Sequence, residues 1–207
     1  VEKILSTKDV ERAIAEREEV QKYPYTEGQR NSLKGIFTNN SRYYAVDGLA
    51  GVGKTTMLLG LNKIATDNGF IVKGMAEGGV AAKNLEEETG IPSSTVAKFK
   101  LDEQKLQNEI SAVGGMDRKN EIWVVDESSF SGQESFAEIL KLSKNANARV
   151  VFLGDKLQMQ SIAAGKPFEV LQDKMAKSEM QNINRQKTDE LKEVVALITA
   201  KNQKGDI

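Results

Sequence analysis

Residues 48–56 read Gly-Leu-Ala-Gly-Val-Gly-Lys-Thr-Thr, which matches the pattern G-x-x-x-x-G-K-[ST]. Glycine at Gly48, Gly51 and Gly53, with Val52 between the last two, lets a backbone wrap so that several N–H groups converge on one anion. A helix starting there aims its positive end at the same point. Lys54 is then a mobile point charge for β- and γ-phosphates, and Thr55, followed by Thr56, brings a hydroxyl suited to Mg²⁺. ATP with Mg²⁺ is the ligand pair this chemistry serves. A phosphate loop needs an acidic partner, and Ile-Trp-Val-Val-Asp-Glu at 122–127 supplies one. Four apolar residues place Asp126 and Glu127 at the C-terminal end of a central strand, where α/β sheets bind ligands. Asp126 suits the cation, through water, and Glu127 the orientation and deprotonation of an attacking water. Val-Val-Phe-Leu-Gly-Asp-Lys-Leu-Gln at 150–158 repeats the arrangement and carries Gln158 toward the γ-phosphate region. Each segment alone has an ordinary explanation, whether a chance strand–helix turn, an acidic pair opening a loop or a polar loop glutamine. The intact phosphate loop upstream is what weighs against those explanations.

The elements that must position these residues are legible in the pattern. Residues 6–22 read as a charged helix with Ser6 and Asp9 in capping-box reach and Val10, Ala13, Ile14 and Arg17 on one face. Tyr23-Pro24-Tyr25 breaks it, and Thr26 caps a second helix running toward 38–40. Strands are expected at 43–46, 70–75, 122–125, 149–153 and 180–183. Helices are expected at 54–68, closed by Gly69, at 80–88, 102–112, 133–144 and 166–175, and at 188–201 on Leu191, Val194, Val195 and Ile198. Continuous apolar strands interleaved with helices mean an α/β fold: a mainly parallel central sheet covered on both faces. Glu86, Glu87 and Glu88 read as a solvated helix face, and Gly114-Gly115 as a loop.

Composition narrows the chemistry. The chain has 207 residues, 29 basic and 30 acidic, so bulk charge does not hold it to nucleic acid. It has no cysteine and no histidine, which excludes thiol chemistry, histidine acid–base catalysis and histidine-ligated metals. No window is apolar enough to span a bilayer and the N-terminus is not a signal peptide, so the expected setting is cytoplasmic. The start at Val1 and the end at Lys-Gly-Asp-Ile read as those of a piece excised from a larger protein.

Taken in order, these segments resemble superfamily 1 helicases. Gly154-Asp155 with Gln158, after the acidic strand, looks like their motif III. Residues 25–33, Tyr-Thr-Glu-Gly-Gln-Arg-Asn-Ser-Leu, resemble the Q motif, in which Gln29 would read the adenine edge. Residues 182–186, Asn-Ile-Asn-Arg-Gln, resemble motif IV, in which Arg185 would touch the γ-phosphate. Residues 72–99 look like the RecD-type block that contacts the DNA backbone. The order, the spacing and Ser-Ile-Ala-Ala-Gly-Lys-Pro-Phe-Glu-Val-Leu-Gln at 161–172 most resemble the RecD-like helicase module of conjugative relaxases, the TraI type.

The resemblance implies a RecA-like P-loop NTPase three-layer sandwich: a helical extension at 1–24, a first motor lobe at 25–187 and a helix at 188–207 leading toward a second RecA-like lobe. It implies ATP-driven, 5′ to 3′ movement on single-stranded DNA in plasmid transfer, with other conjugation proteins as partners and no membrane. Lys54, Glu127, Gln158 and Arg185 would be catalytic. Thr55 and Asp126 would hold metal, and Gln29 with residues 48–56 would hold nucleotide. The second lobe would supply an arginine, so this chain alone is expected to bind nucleotide weakly and hydrolyse it slowly. Two departures matter. Glu77-Gly78 stands where the family has a Pro-Thr or Pro-Ser pair, which sets a carboxylate against a phosphate backbone, and the lack of histidine rules out relaxase nicking.

Two other readings compete. A small-molecule P-loop kinase needs an arginine-bearing lid, and Arg118 and Arg149 fall in no such motif. A degenerate lobe that binds DNA or a partner without hydrolysis has no physical need for Lys54, Thr55, Asp126 and Glu127. Phe99 and Phe130 suit base stacking and core packing equally.

Overall fold

The computed structural model describes residues 1–48, 53–112, 117–126, 133–154 and 176–180. The expected helices at 166–175 and 188–201 lie outside these residues, as do Gly114-Gly115 and Phe130.

Helix α1 (Thr7–Gln21) starts as its sequence directs: Ser6 Oγ accepts from the Asp9 N–H and donates to the Asp9 carboxylate. It ends at Lys22, which is left-handed and sends its N–H back to Glu18 O. Helix α2 (Glu27–Thr38) opens with a complete capping box, Thr26 to the Gln29 N–H and Gln29 to the Thr26 N–H. Then come β1 (Tyr43–Gly48), α3 (Lys54–Asp67), β2 (Ile71–Ala76), α4 (Gly79–Thr89), β3 (Ser93–Thr95), α5 (Val96–Ala112), β4 (Glu121–Val125), α6 (Gln133–Ala146), β5 (Arg149–Gly154) and β6 (Ala176–Met180).

The six strands form one sheet in the order β3-β2-β4-β5-β1-β6, every pairing parallel. Strands β4 and β5 are buried along their whole length, as their unbroken apolar runs require. One face of the sheet carries a core built from α1–α4, including Val10, Ile14, Leu33, Phe37, Met57, Leu61 and Leu85. The other carries Val96 and Phe99 of α5 and Phe136, Ile139 and Leu142 of α6. The result is the three-layer sandwich expected, and α1 is part of its core.

Three departures from the sequence pattern stand out. Helix α5 begins at Val96 rather than 102, because Thr95 Oγ1 accepts the Lys98 N–H as a cap and Val96, Phe99 and Glu103 make a buried face. Strand β3 was not expected. It is three residues long, polar and recognisable only through its pairing with Gly74, Met75 and Ala76. The last described strand covers 176–180, earlier than expected; of the expected 180–183 only Met180 is described, and 181–183 lie outside the described residues. Its polar residues at the sheet edge are held by the β1 ladder and by Ser178, whose hydroxyl lies 2.8 Å from that of Ser32 on α2.

Phe99 belongs to the core. It meets Trp123 edge-on with ring centroids 4.9 Å apart. Arg118 is no lid residue either: its guanidinium pairs with Glu103 at 2.6 Å and Glu121 at 2.8 Å, all three side chains being under a tenth exposed. Trp123 Nε1 and Lys73 Nζ also donate to Glu121. Two acids and two bases thus close a neutral network that ties α5, β2 and β4 together at the N-terminal end of the sheet. Burial alone would raise the Glu121 carboxyl, but the hydrogen bonds from Arg118, Trp123 and Lys73 outweigh it and hold the group below the usual carboxylate range.

Candidate nucleotide site

The register of the sheet assembles the site. Asp47 pairs with Gly154, and Val125 pairs with Phe152, so Gly48, Asp126 and Gly154 all emerge at the same C-terminal edge. Strand β5 lies between β1 and β4. Two strand spacings therefore separate the phosphate-loop strand from the acidic strand, roughly 10 Å. That gap is wide enough for phosphate oxygens and a hydrated cation.

Gly53 sits at the N-cap of α3 with φ +85°, a left-handed conformation that glycine adopts without steric cost. Its carbonyl accepts the Met57 N–H at 3.1 Å and Gln29 Nε2 at 2.9 Å. Gln29 is 1% exposed, and the amide oxygen that completes the α2 capping box belongs to the same side chain. One amide therefore fastens the start of α2 to the start of α3. Gln29 lies beside Gly53, and its amide here bonds the protein backbone.

Lys54 is half-buried and has no charged or hydrogen-bonding partner among the described residues. A cation so placed in the first turn of α3, beside Gly53, is free to pair with an anion at that helix end. Thr55 Oγ1 donates to the Glu88 carboxylate of α4 at 3.1 Å. Donation uses the hydroxyl proton and leaves the oxygen lone pairs for a metal. Thr55 and Asp126 thus offer hard oxygen donors, which is the donor set Mg²⁺ takes. Sequence reasoning missed Glu88. Glu86, Glu87 and Glu88 are exposed, as expected of a solvated face, yet Glu86 accepts the Ser93 N–H, Glu87 pairs with Lys83, and Glu88 reaches the phosphate loop.

Beside Gln29 lies a cavity of about 480 Å³ lined by Tyr23, Pro24, Tyr25, Thr26, Gln29 and Thr56. Tyr25 is buried, with its ring toward Gly60 of α3, where a methyl group would overlap the Tyr25 hydroxyl. Burial pushes that phenol up from its ordinary value, and Arg17 of α1 partly offsets the shift. The described residues place Gly48, Gly53, Lys54, Thr55, Thr56, Gln29 and Asp126 around one edge of the sheet. Gly51, Val52, Glu127, Gln158 and Arg185 lie outside the described residues, as do all of 155–175 after Gly154.

An all-parallel sheet with a phosphate-loop sequence at the end of β1 and an acidic strand two places away defines a RecA-like P-loop NTPase lobe. The chain belongs to the AAA domain family, whose match covers residues 24–206. It is 33% identical over 149 residues to the conjugal transfer protein TraA of Rhizobium radiobacter, covering 72% of this chain and 13% of that protein. It is 32% identical over 176 residues to the multifunctional conjugation protein TraI of Escherichia coli K12, covering 82% of this chain and 10% of that protein. The chain therefore spans about a tenth of the length of these relatives. Among solved structures it resembles Bacteroides sp Pif1 in complex with ADP-AlF4, with a TM-score of 0.56 and 20% identity over 87% of this chain and 47% of that one. That likeness is one of fold. No helix among the described residues is long and apolar enough to cross a membrane.

Proposed function

We propose that this chain is the ATP-binding first motor lobe of a superfamily 1, RecD-like DNA helicase, the helicase part of a conjugative relaxase that unwinds plasmid DNA for strand transfer. The observation that carries the reading is the common edge of the sheet, where Gly53, Lys54 and Thr55 face Asp126 across one intervening strand. The conjugation proteins TraA and TraI among its relatives support the biological setting.

In this reading the α3 N-terminus and Lys54 hold the phosphates, with Thr55 and Asp126 as the residues that would hold Mg²⁺. Bound magnesium supplies positive charge against the phosphate oxygens. Glu127 accepts the proton of the attacking water. Gln158 and Arg185 sense the γ-phosphate and couple its presence to movement along single-stranded DNA, 5′ to 3′, against a second RecA-like lobe. The cavity at Tyr23–Thr26 and Gln29 takes the base. Other conjugation proteins are the further partners.

The test is ATP binding to this chain with and without Mg²⁺, together with turnover in the parent protein. Lys54→Ala and Glu127→Gln are expected to abolish turnover and leave the fold intact. Wild-type unwinding by Glu127→Gln removes Glu127 as base. No binding at millimolar ATP turns the reading toward a non-hydrolysing lobe that binds DNA or a partner.

A further inference from the structure

Helix α1 is not needed to complete the sheet, and phosphate chemistry gives it no role. Its last turn is nevertheless fastened to the wall of the base cavity at several points. Glu18 Oε1 accepts the Tyr25 N–H at 2.7 Å, while its other oxygen receives the Arg30 guanidinium of α2. Gln21 Nε2 donates to the Tyr23 carbonyl at 2.8 Å. The Glu18 backbone carbonyl accepts the Lys22 N–H that ends the helix.

The stretch Tyr23–Thr26 has no ladder or helix of its own, so its polar backbone groups depend on side chains from the two helices it joins. Pro24 contributes no N–H. Tyr25 N–H is held by Glu18 of α1 and Thr26 N–H by Gln29 of α2. The Glu18 carboxylate is 15% exposed and joins α1, the connection and α2 at one point. Beyond it the Tyr25 ring is pinned on α3, the helix that begins at Lys54. A wall fixed in this way loses little freedom when a planar base enters, and a wall left loose must be ordered on binding.

We propose that α1, through Glu18, is the positioning element of the base cavity: the carboxylate holds the Tyr23–Thr26 wall in place for the base of a nucleotide and contributes nothing to phosphate binding. This rests on the reading of that cavity as the base site.

The test uses the 207-residue chain with two probes, ADP and inorganic pyrophosphate, titrated by calorimetry against wild type, Glu18→Ala and Glu18→Gln, each with its melting temperature. Glu18→Ala is expected to weaken ADP about three- to tenfold and leave pyrophosphate unchanged. Glu18→Gln, which keeps an acceptor for the Tyr25 N–H but not the charge for Arg30, is expected to fall between. Unchanged ADP affinity, or parallel loss of ADP and pyrophosphate, overturns the proposal. If Glu18→Ala does not fold, Glu18→Gln decides by the same two outcomes. A wild-type chain that binds ADP no more tightly than pyrophosphate instead removes the base-site reading itself, and this proposal with it.

Discussion

Replacing Gln29 by glutamate changes one group and leaves the shape of the side chain intact. Glutamate serves a capping box as well as glutamine does, and a negative charge in the first turn is favourable. The bond from Thr26 N–H to the side-chain oxygen, 2.9 Å, therefore survives in Gln29→Glu. What changes is the other end. The Nε2 that donates to Gly53 O at 2.9 Å becomes a carboxylate oxygen facing a carbonyl oxygen. With the side chain 1% exposed, water cannot easily take over. The lost hydrogen bond and the desolvated, charged oxygen together cost about 3 kcal/mol or more, above the range for a neutral group. For a chain of this size that lowers the melting point by roughly 2–4 °C per kcal/mol.

The acid side supplies a control. Burial without a cationic partner raises the pKa of the new carboxyl in the folded state above its unfolded value. A group raised on folding is most favourable below its unfolded pKa and loses that advantage as pH rises through the folded value. Protonated, it donates to Gly53 O again, so the deficit of Gln29→Glu should shrink on going from pH 7 to about pH 4. Thermal melts of the two proteins across that range measure it. A Gln29→Glu chain that melts with wild type at pH 7, or whose deficit does not depend on pH, refutes the view that this amide fastens α2 to the phosphate loop.

Other expectations concern separate parts of the molecule. Arg118→Ala leaves Glu103 buried without its cation, and Glu121 with only Lys73 and Trp123, and should cost about 3–5 kcal/mol in denaturant unfolding. Because Glu121 is held below its unfolded pKa, the stability it contributes is present above the ordinary carboxylate range and is lost as pH falls through the lower, folded value. The Arg118→Ala deficit should therefore narrow toward acid, and a deficit independent of pH would count against the network as its source. Glu88→Ala removes the acceptor that orients the Thr55 hydroxyl. It should raise the Mg²⁺ concentration needed for tight ATP binding by about tenfold and leave binding in chelator unchanged, as read by nucleotide titration at fixed ATP.

Much of the fold is local in origin and therefore visible along the chain. The Ser6–Asp9 cap of α1, the Thr26 cap of α2 and the unbroken apolar runs of β4 and β5 follow from neighbours within a few residues. The elements that escaped are those whose stability comes from distant partners. Strand β3 is polar and exists by pairing with β2, β6 is a polar edge held by β1 and Ser32, and the first turns of α5 are anchored by contacts with Trp123. Arg118 shows the same limit for side chains. In sequence it is one more surface charge, because Glu103 lies 15 residues before it and only folding brings the two together.

The candidate site divides along the same line. Sequence alone carried the expected chemistry: a glycine-rich run, a lysine, a hydroxyl and an acidic strand end are the residue types, at the short spacing, that the proposed phosphate and cation site needs. Tertiary structure decided what surrounds them. It set β5 between the two halves of the candidate site, turned the Gln29 amide onto Gly53, and brought Glu88 to Thr55. Each of these is a contact between segments many residues apart. Their geometry is set by strand order and helix packing, which no local pattern encodes.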